Sequence, residues 1–493
     1  MNEIQALAKI LQLTTQPKVS DGATRSESMM DVLYKNTVSG KYKTDEDAEL
    51  DLYGSSSKSN GFQVLKSKLK NKLLADLLVS EPEDNPQHYF TILLSMEKEL
   101  LIIKKLLMFG ARTFGIRLTK RLLAKAEQYT AISIQLQSWQ ILREHYWYLG
   151  EKKNHEESIG KIAHLRQSVQ DELRSYEIHE SFSLPFVRSK ATHSLLVQEA
   201  EEAAKEMETL KERTPSYEVI LNYYRFNILR SQIGRNFAET VRICEEIEQF
   251  FSTNYTFIES ARMAEFLISK GEALFNIRKY PEAETEIDRC ISLFRPGGNN
   301  WFAVHTIALQ ISFHSENWEK ALRIFDAVTT HERFALQPDR VKEEWKIYEA
   351  FLLYILPKKK ALAEDQYNSR IFQLYTFLNE VPIYSLDKTG ANIAILILQT
   401  IWTIKTERYE RVLKLQKTLN NYCVRYLKSA VEYERGAIFL KMLRSVISND
   451  FNKGRIEKRT EELYQSLTAP GQVLGAMEFY PYERLWTIIL EDI

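Results

Sequence analysis

Apolar residues recur at helical spacing through most of the chain. Phe62, Leu65, Leu69, Leu73 and Leu77 lie three or four residues apart, which puts one apolar stripe on a helix. His88 to Phe109 continues the pattern, punctuated by Gly110 and Gly115. Helical patterns then follow one another to the end. Breaks are expected near Gly150, Pro185, Pro215, Gly234, Pro281, Pro296–Gly298, Pro338, Pro357, Gly390 and Pro470–Gly471. No window alternates with period two, so no strands are expected. The gaps hold one or two helices each, the rhythm of antiparallel helix pairs that must stack to bury their apolar faces. The expected fold is all-α.

The first 60 residues differ in character. A short amphipathic helix, MNEIQALAKILQL, is followed by a polar stretch, by the acidic cluster Asp45, Glu46, Asp47, Glu49 and Asp51, and by a linker from Ser55 to Gly61. Segment 1–60 is expected to be polar and partly disordered. A helical region with a basic bias should occupy 61–215, the main array 216–430 and capping helices 431–493.

The clearest local signal is LISKGEALFNIRKYPEAETEIDRCISLFRP, Leu267 to Pro296. Gly271 and Ala273 are small where two helices would approach, Leu267 and Leu274 are large, and Tyr280, Glu282 and Ala283 open a second helix. The stretch resembles a tetratricopeptide repeat. Degenerate copies surround it at Asn236–Thr240, at Asn317–Ala321 with Trp318 at the turn, and at Arg408–Val412. Equivalent positions lie 43, 38 and 91 residues apart, longer than the family's 34. The resemblance implies a right-handed α-solenoid that binds a protein or peptide in the groove formed by its first helices. It places that groove at Tyr223, Arg225, Phe226, Arg262, Glu265, Glu272, His305 and Gln310. Members that capture chaperone C-termini use a Lys and Asn pair. Ile268 and Glu272, then Thr306 and Gln310, stand there instead, so that clamp is not supported.

Composition narrows the field. Lys plus Arg and Asp plus Glu are 66 each, so overall charge does not favour wholesale nucleic-acid binding. Residues 58–125 are the local exception, with 13 basic and 6 acidic residues. On a helical wheel Lys66 and Lys70 fall on one flank of the Phe62–Leu77 stripe, and Lys68 and Lys72 on the other. That is the pattern of lysine stems covering the edges of a core face. An acidic partner, the chain's own Asp45–Asp51 cluster included, is one alternative for them. A nucleic-acid-associated or signalling regulator using Lys66, Lys70, Lys104 and Lys105 is the other.

Catalytic chemistry is not expected. No phosphate-cradling loop is present, and His155–Glu156–Glu157 lacks a second histidine at zinc spacing. Cys244, Cys290 and Cys423 are scattered, so neither a zinc site nor a disulfide framework follows, which suits a reducing compartment. The most apolar stretch, Ile393–Ile404, is too short to span a bilayer. The chain is expected to be cytoplasmic and non-enzymatic, with no cofactor, no metal and no membrane partner. Tyr217, Tyr223, Tyr224, Phe226, Phe250, Phe251, Tyr255 and Phe257 are expected chiefly as core.

Overall fold

The computed structural model describes residues 2–11, 14–15, 28–54, 60–82, 89–188, 193–254, 260–356, 391–405, 434–469, 474 and 478–493. These are almost wholly helical. In chain order the helices are α1 (Asn2–Leu11), α2 (Met29–Val38), α3 (Asp45–Tyr53), α4 (Asn60–Val79), α5 (Tyr89–Met108), α6 (Arg112–Gln128), α7 (Ile132–Leu149), α8 (Lys152–Arg188), α9 (His193–Arg213) and α10 (Tyr217–Ile233). They continue with α11 (Phe237–Asn254), α12 (Ser260–Asn276), α13 (Tyr280–Ile291), α14 (Asn299–His314), α15 (Trp318–Thr329), α16 (Asp339–Ile355), α17 (Ala391–Lys405), α18 (Glu434–Ser448), α19 (Lys453–Thr468) and α20 (Tyr482–Glu491). Among the described residues the one strand pair is Thr14–Thr15 against Glu81–Pro82, antiparallel and too short for any periodicity to reveal. No helix among them is long and apolar enough to cross a membrane.

The chain divides into two compact units, Met1–Lys125 and Ala126–Ile493. In the first, α1 and α2 pack on α4. Ile4, Leu11, Leu33, Tyr42 and Ala48 are buried with Phe62, Leu69 and Leu73 in one core. The described part of segment 1–60 is therefore ordered helix sharing the core of α4, and the expected boundary at 60 does not separate the two. Helix capping accounts for the difference. Ser28 and Thr44 each accept from the backbone N–H three residues on, and Asp31 and Asp47 reach back to the cap N–H. The cluster at Asp45–Asp47 is thus the first turn of α3, where carboxylates favour the positive end of the helix dipole.

The second unit is built of helices packed in sequence. From α10 to α15 each helix lies against the next, and α8–α10 and α12–α14 also touch across one intervening helix. Because α10 packs on both α8 and α9, the expected boundary at 215 falls inside one packed group. The boundary at 430 and the weak repeat at Arg408–Val412 lie outside the described residues. Pro185, an expected break, sits within α8. It occupies the last turn, where it removes one N–H from the ladder and the helix ends three residues later. Farther on, α17 is buried on all sides from Ile393 to Trp402 except at Gln399, and Thr400 and Thr403 satisfy their hydroxyls on carbonyls four residues back.

One turn recurs between successive helices. After α5, α6, α7, α10, α12, α14 and α18 the chain makes the same pair of backbone bonds, spanning six and four residues, with a left-handed residue at the bend. That residue is Gly110 or Gly150 in two cases, and Thr130, Arg235, Arg278, Glu316 and Asp450 in the others, with φ between 50 and 62°. At the α10–α11 turn it is Arg235 that bends, while the neighbouring Gly234 keeps φ −75°.

The helix crossing at Gly271 is close. A Cβ there would lie 2.6 Å from Ile287 Cδ1 on α13. Ala273, Ala283 and Ala321 are buried, Tyr280 lies tilted against Phe275 and His314 (5.9 Å to each), and Trp318 lies edge-on to Phe313.

Candidate partner-binding face

The groove residues were expected on α10, α12 and α14. Part of that set meets. Arg225 of α10 donates through Nε to Glu265 of α12 at 3.1 Å, and Arg262 of α12 lies 3.7 Å from Glu218 at the start of α10. Arg262 also sits 5.8 Å from the Tyr217 ring. From the other side, Tyr176 of α8 donates its hydroxyl to Glu218. Three helices, α8, α10 and α12, thus carry a ladder of matched charges and hydroxyls. The ladder is half-buried: Arg225, Arg262 and Glu218 side chains retain about a fifth of their exposure and Glu265 rather more. Burial lowers the His179 pKa below the usual imidazole range, and the neighbouring Arg225 pushes the same way.

The start of α10 is fixed by α8. Asp171, 2% exposed, accepts from Arg213, Thr214 and Gln167. The cap residue Ser216 donates to Glu172 at 2.7 Å. Burial pushes the Glu172 carboxyl up to about 7, the Ser216 hydroxyl partly offsets this, and nearby Glu218 adds to it. Tyr176, His179 and Glu218 had no counterpart in the sequence reading. They lie outside the repeat signature, and nothing in the spacing links α8 to α10.

Other expected groove residues are elsewhere. Phe226 is fully buried against Phe182, Met207 and Ile178, so it is core. Tyr223 sits at the edge of that cluster with Lys211 of α9 over its ring at 3.8 Å, away from Arg225. The reason is helical phase: Tyr223 and Phe226 share the face that α9 covers. His305 is also buried, its Nδ1–H donating to the Trp301 carbonyl at 2.7 Å. Glu272 is half-buried on α12, and its carbonyl accepts from Asn276.

Gln310 leads to a second feature. Its amide points to the Glu478 carbonyl at 3.5 Å, and His314 Nε2–H donates to the same oxygen at 2.8 Å. A C-terminal strap, Leu474 and Glu478–Arg484, runs past the turns of three helix pairs. Arg235 donates to the Leu474 carbonyl, Arg278 pairs with Glu483 and Glu316 accepts from Tyr480. Phe479 packs on Tyr348 and Phe351, and Tyr480 on Trp318. The α14 end of the expected groove is therefore covered by the chain itself.

The basic region is partly neutralised in cis. Lys66 pairs with Asp45 at 2.6 Å, Lys70 with Glu3 at 2.7 Å and Lys41 with Asp51 at 2.8 Å. Lys68 and Lys72, on the other flank of α4, are exposed, as are Lys104 and Lys105 on α5. Among the described residues no cluster of His, Cys, Asp or Glu could hold a metal ion. Burial pushes the Cys244 and Cys290 thiols up to about 12, which leaves them protonated and unreactive at neutral pH. Compared with known proteins, the chain matches no family model, no curated protein and no solved structure.

Proposed function

We propose that this chain is a non-enzymatic scaffold whose helical array, a right-handed solenoid of tetratricopeptide kind, binds a protein or peptide along α8, α10 and α12. The half-buried charge ladder is the observation that carries the reading. Its ion pairs keep enough solvent contact that each is worth little by itself, so a ligand carrying charges of both signs could exchange with them at small cost. Strap coverage at α14 directs the binding surface to the upstream helices. The buried, unpaired thiols of Cys244 and Cys290 suit a reducing compartment such as the cytoplasm.

Affinity capture from native cytoplasm, with and without nuclease, tests this against the nucleic-acid alternative. Reversal of Arg225 and Arg262 to Glu should remove specific partners while leaving the helical circular dichroism signal intact. Identical capture by parent and variant would remove the ladder from the binding surface. Capture that disappears only with nuclease would favour the alternative.

A further inference from the structure

Exposed apolar side chains are unevenly spread over the protein. Among the described residues beyond Leu184, only Leu293 and Leu336 are large, apolar and exposed, whereas such residues are frequent on α4 to α8. Helix α5 is the extreme case. Met96, Leu100 and Ile103 are buried on one face, and Phe90, Leu94, Leu101 and Met108 are exposed on a second face, roughly a third of a turn away. The exposed four are spaced by four and seven residues, so they form one stripe. A helix that is apolar on two separate faces is not the pattern of a helix with one face in water.

The stripe runs into the turn between α5 and α6. Met108 and Phe109 are 72% and 79% exposed there. The bend is at Gly110, with φ 82°, and a Cβ at that position would meet nothing within 4 Å. Phe114 follows, 44% exposed, with the Arg117 guanidinium 5.2 Å from its ring. Charge here has one sign. From Leu100 to Ala126 there is no acidic residue, and Lys104, Lys105, Arg112, Arg117, Lys120, Arg121 and Lys125 are all cations. Arg121 turns back to Glu99, whereas Lys105 and Arg117 are exposed beside the tip.

We propose that the α5–α6 hairpin is a docking surface for an anionic lipid bilayer. The Phe90–Met108 stripe and Phe109 enter the boundary between headgroups and acyl chains, and Lys105 and Arg117 meet the anionic headgroups. Aliphatic side chains decide against nucleic acid, whose single strands are held by rings that stack on bases and by cations along the backbone. Leu94, Leu101 and Met108 offer neither. The expectation of no membrane partner rested on the lack of a spanning segment, which concerns crossing a bilayer and not lying on one. The surface shares no residue with the α8–α12 ladder, so the two readings stand or fall independently.

Sedimentation of the full chain with vesicles provides the test. Vesicles of phosphatidylcholine alone should bind weakly, and vesicles containing phosphatidylserine should bind in a manner that added salt weakens. Met108→Asp with Phe109→Asp should lower the partition coefficient by about tenfold or more, and Lys105→Glu with Arg117→Glu should abolish the preference for phosphatidylserine. All four side chains are exposed, so circular dichroism and the melting curve should be unchanged. Absence of vesicle binding would overturn the proposal, as would variants that bind like the parent. Tight binding of a labelled single-stranded oligonucleotide without vesicle binding would assign the surface to nucleic acid instead.

Discussion

Arg435 and Glu478 form a two-pronged ion pair, with both N–O distances 2.8 Å and the side chains 3% and 0% exposed. The guanidinium also donates to the Leu467 carbonyl and to Glu483, and Glu478 accepts from the Tyr482 N–H. Every charge in this knot is answered, which is the condition under which ions tolerate a dry interior.

Breaking the pair on one side should therefore cost far more than replacing it. Glu478→Gln should destabilise the second unit by up to about 3 kcal/mol, because it leaves the buried guanidinium with Glu483 as its one remaining carboxylate. The double change Arg435→Met with Glu478→Leu should recover much of that loss. Thermal and urea unfolding of the three proteins decides it. A single variant that melts with the parent would mean the knot contributes nothing.

At the α12–α13 crossing, Gly271→Leu should overpack against Ile287 and cost on the order of 1–3 kcal/mol. Ala283→Leu, fully buried on the partner helix, should cost a similar amount. Melting temperatures of both read this directly. An unchanged value for either would mean the helices can move apart freely.

The recurrent turn makes a contrast between two residues of like conformation. Asp450→Gly should stabilise by about 0.5–1 kcal/mol, since glycine adopts positive φ without strain. Glu316→Gly relieves the same strain but removes the acceptor for Tyr480 and the 3.5 Å partner of Arg484, so it should gain nothing or lose stability. Equal gains for both would mean the strap contacts of Glu316 carry no energy.

Acid should loosen the strap before it affects exposed charge pairs. Full burial lowers the His314 pKa from the usual 6.5 to about 4, partly offset by the neighbouring Glu478. The unfolded chain then binds a proton that the folded one refuses between those two values. The stability this neutral histidine contributes is complete above pH 6.5, falls as pH drops toward 4, and is flat below. His314→Gln should flatten that window of the stability-against-pH curve, measured by urea unfolding at several pH values. A slope unchanged by the substitution would remove His314 as its source.

What could be read from the sequence follows the range of the interactions. Period and side-chain size act over one or two turns, so the helices and the small residues at Gly271 and Ala283 are visible along the chain. Thr130 and Arg278 are not recognisable as bends, because nothing in their chemistry announces positive φ; the rule that glycine marks a turn points to Gly234 where Arg235 does the bending. In the first unit, acids at Asp45–Asp47 look like a solvated cluster unless Thr44 is recognised as a cap. Phe226 suits both a groove and a core by its ring alone, and only α9, packed on that face of α10, decides for core. The strap was beyond reach. Its hydrogen bonds to the helix turns and to α14 join residues 164 to 239 positions apart and many end on main-chain carbonyls, which no side-chain pattern encodes.

That separation has a consequence for how the protein is made. Synthesis delivers α10 to α15 long before Glu478–Arg484, so during translation the turns at Arg235, Arg278 and Glu316 wait without their partners, and aromatic surface at Trp318, Tyr348 and Phe351 lacks its cover. Contacts this distant in sequence form late and slowly, and half-covered apolar surface is what chaperones bind and nascent chains aggregate through. Messages that terminate before Leu474 should therefore yield a product that is synthesised normally and then cleared, with the loss appearing in abundance and not in translation rate.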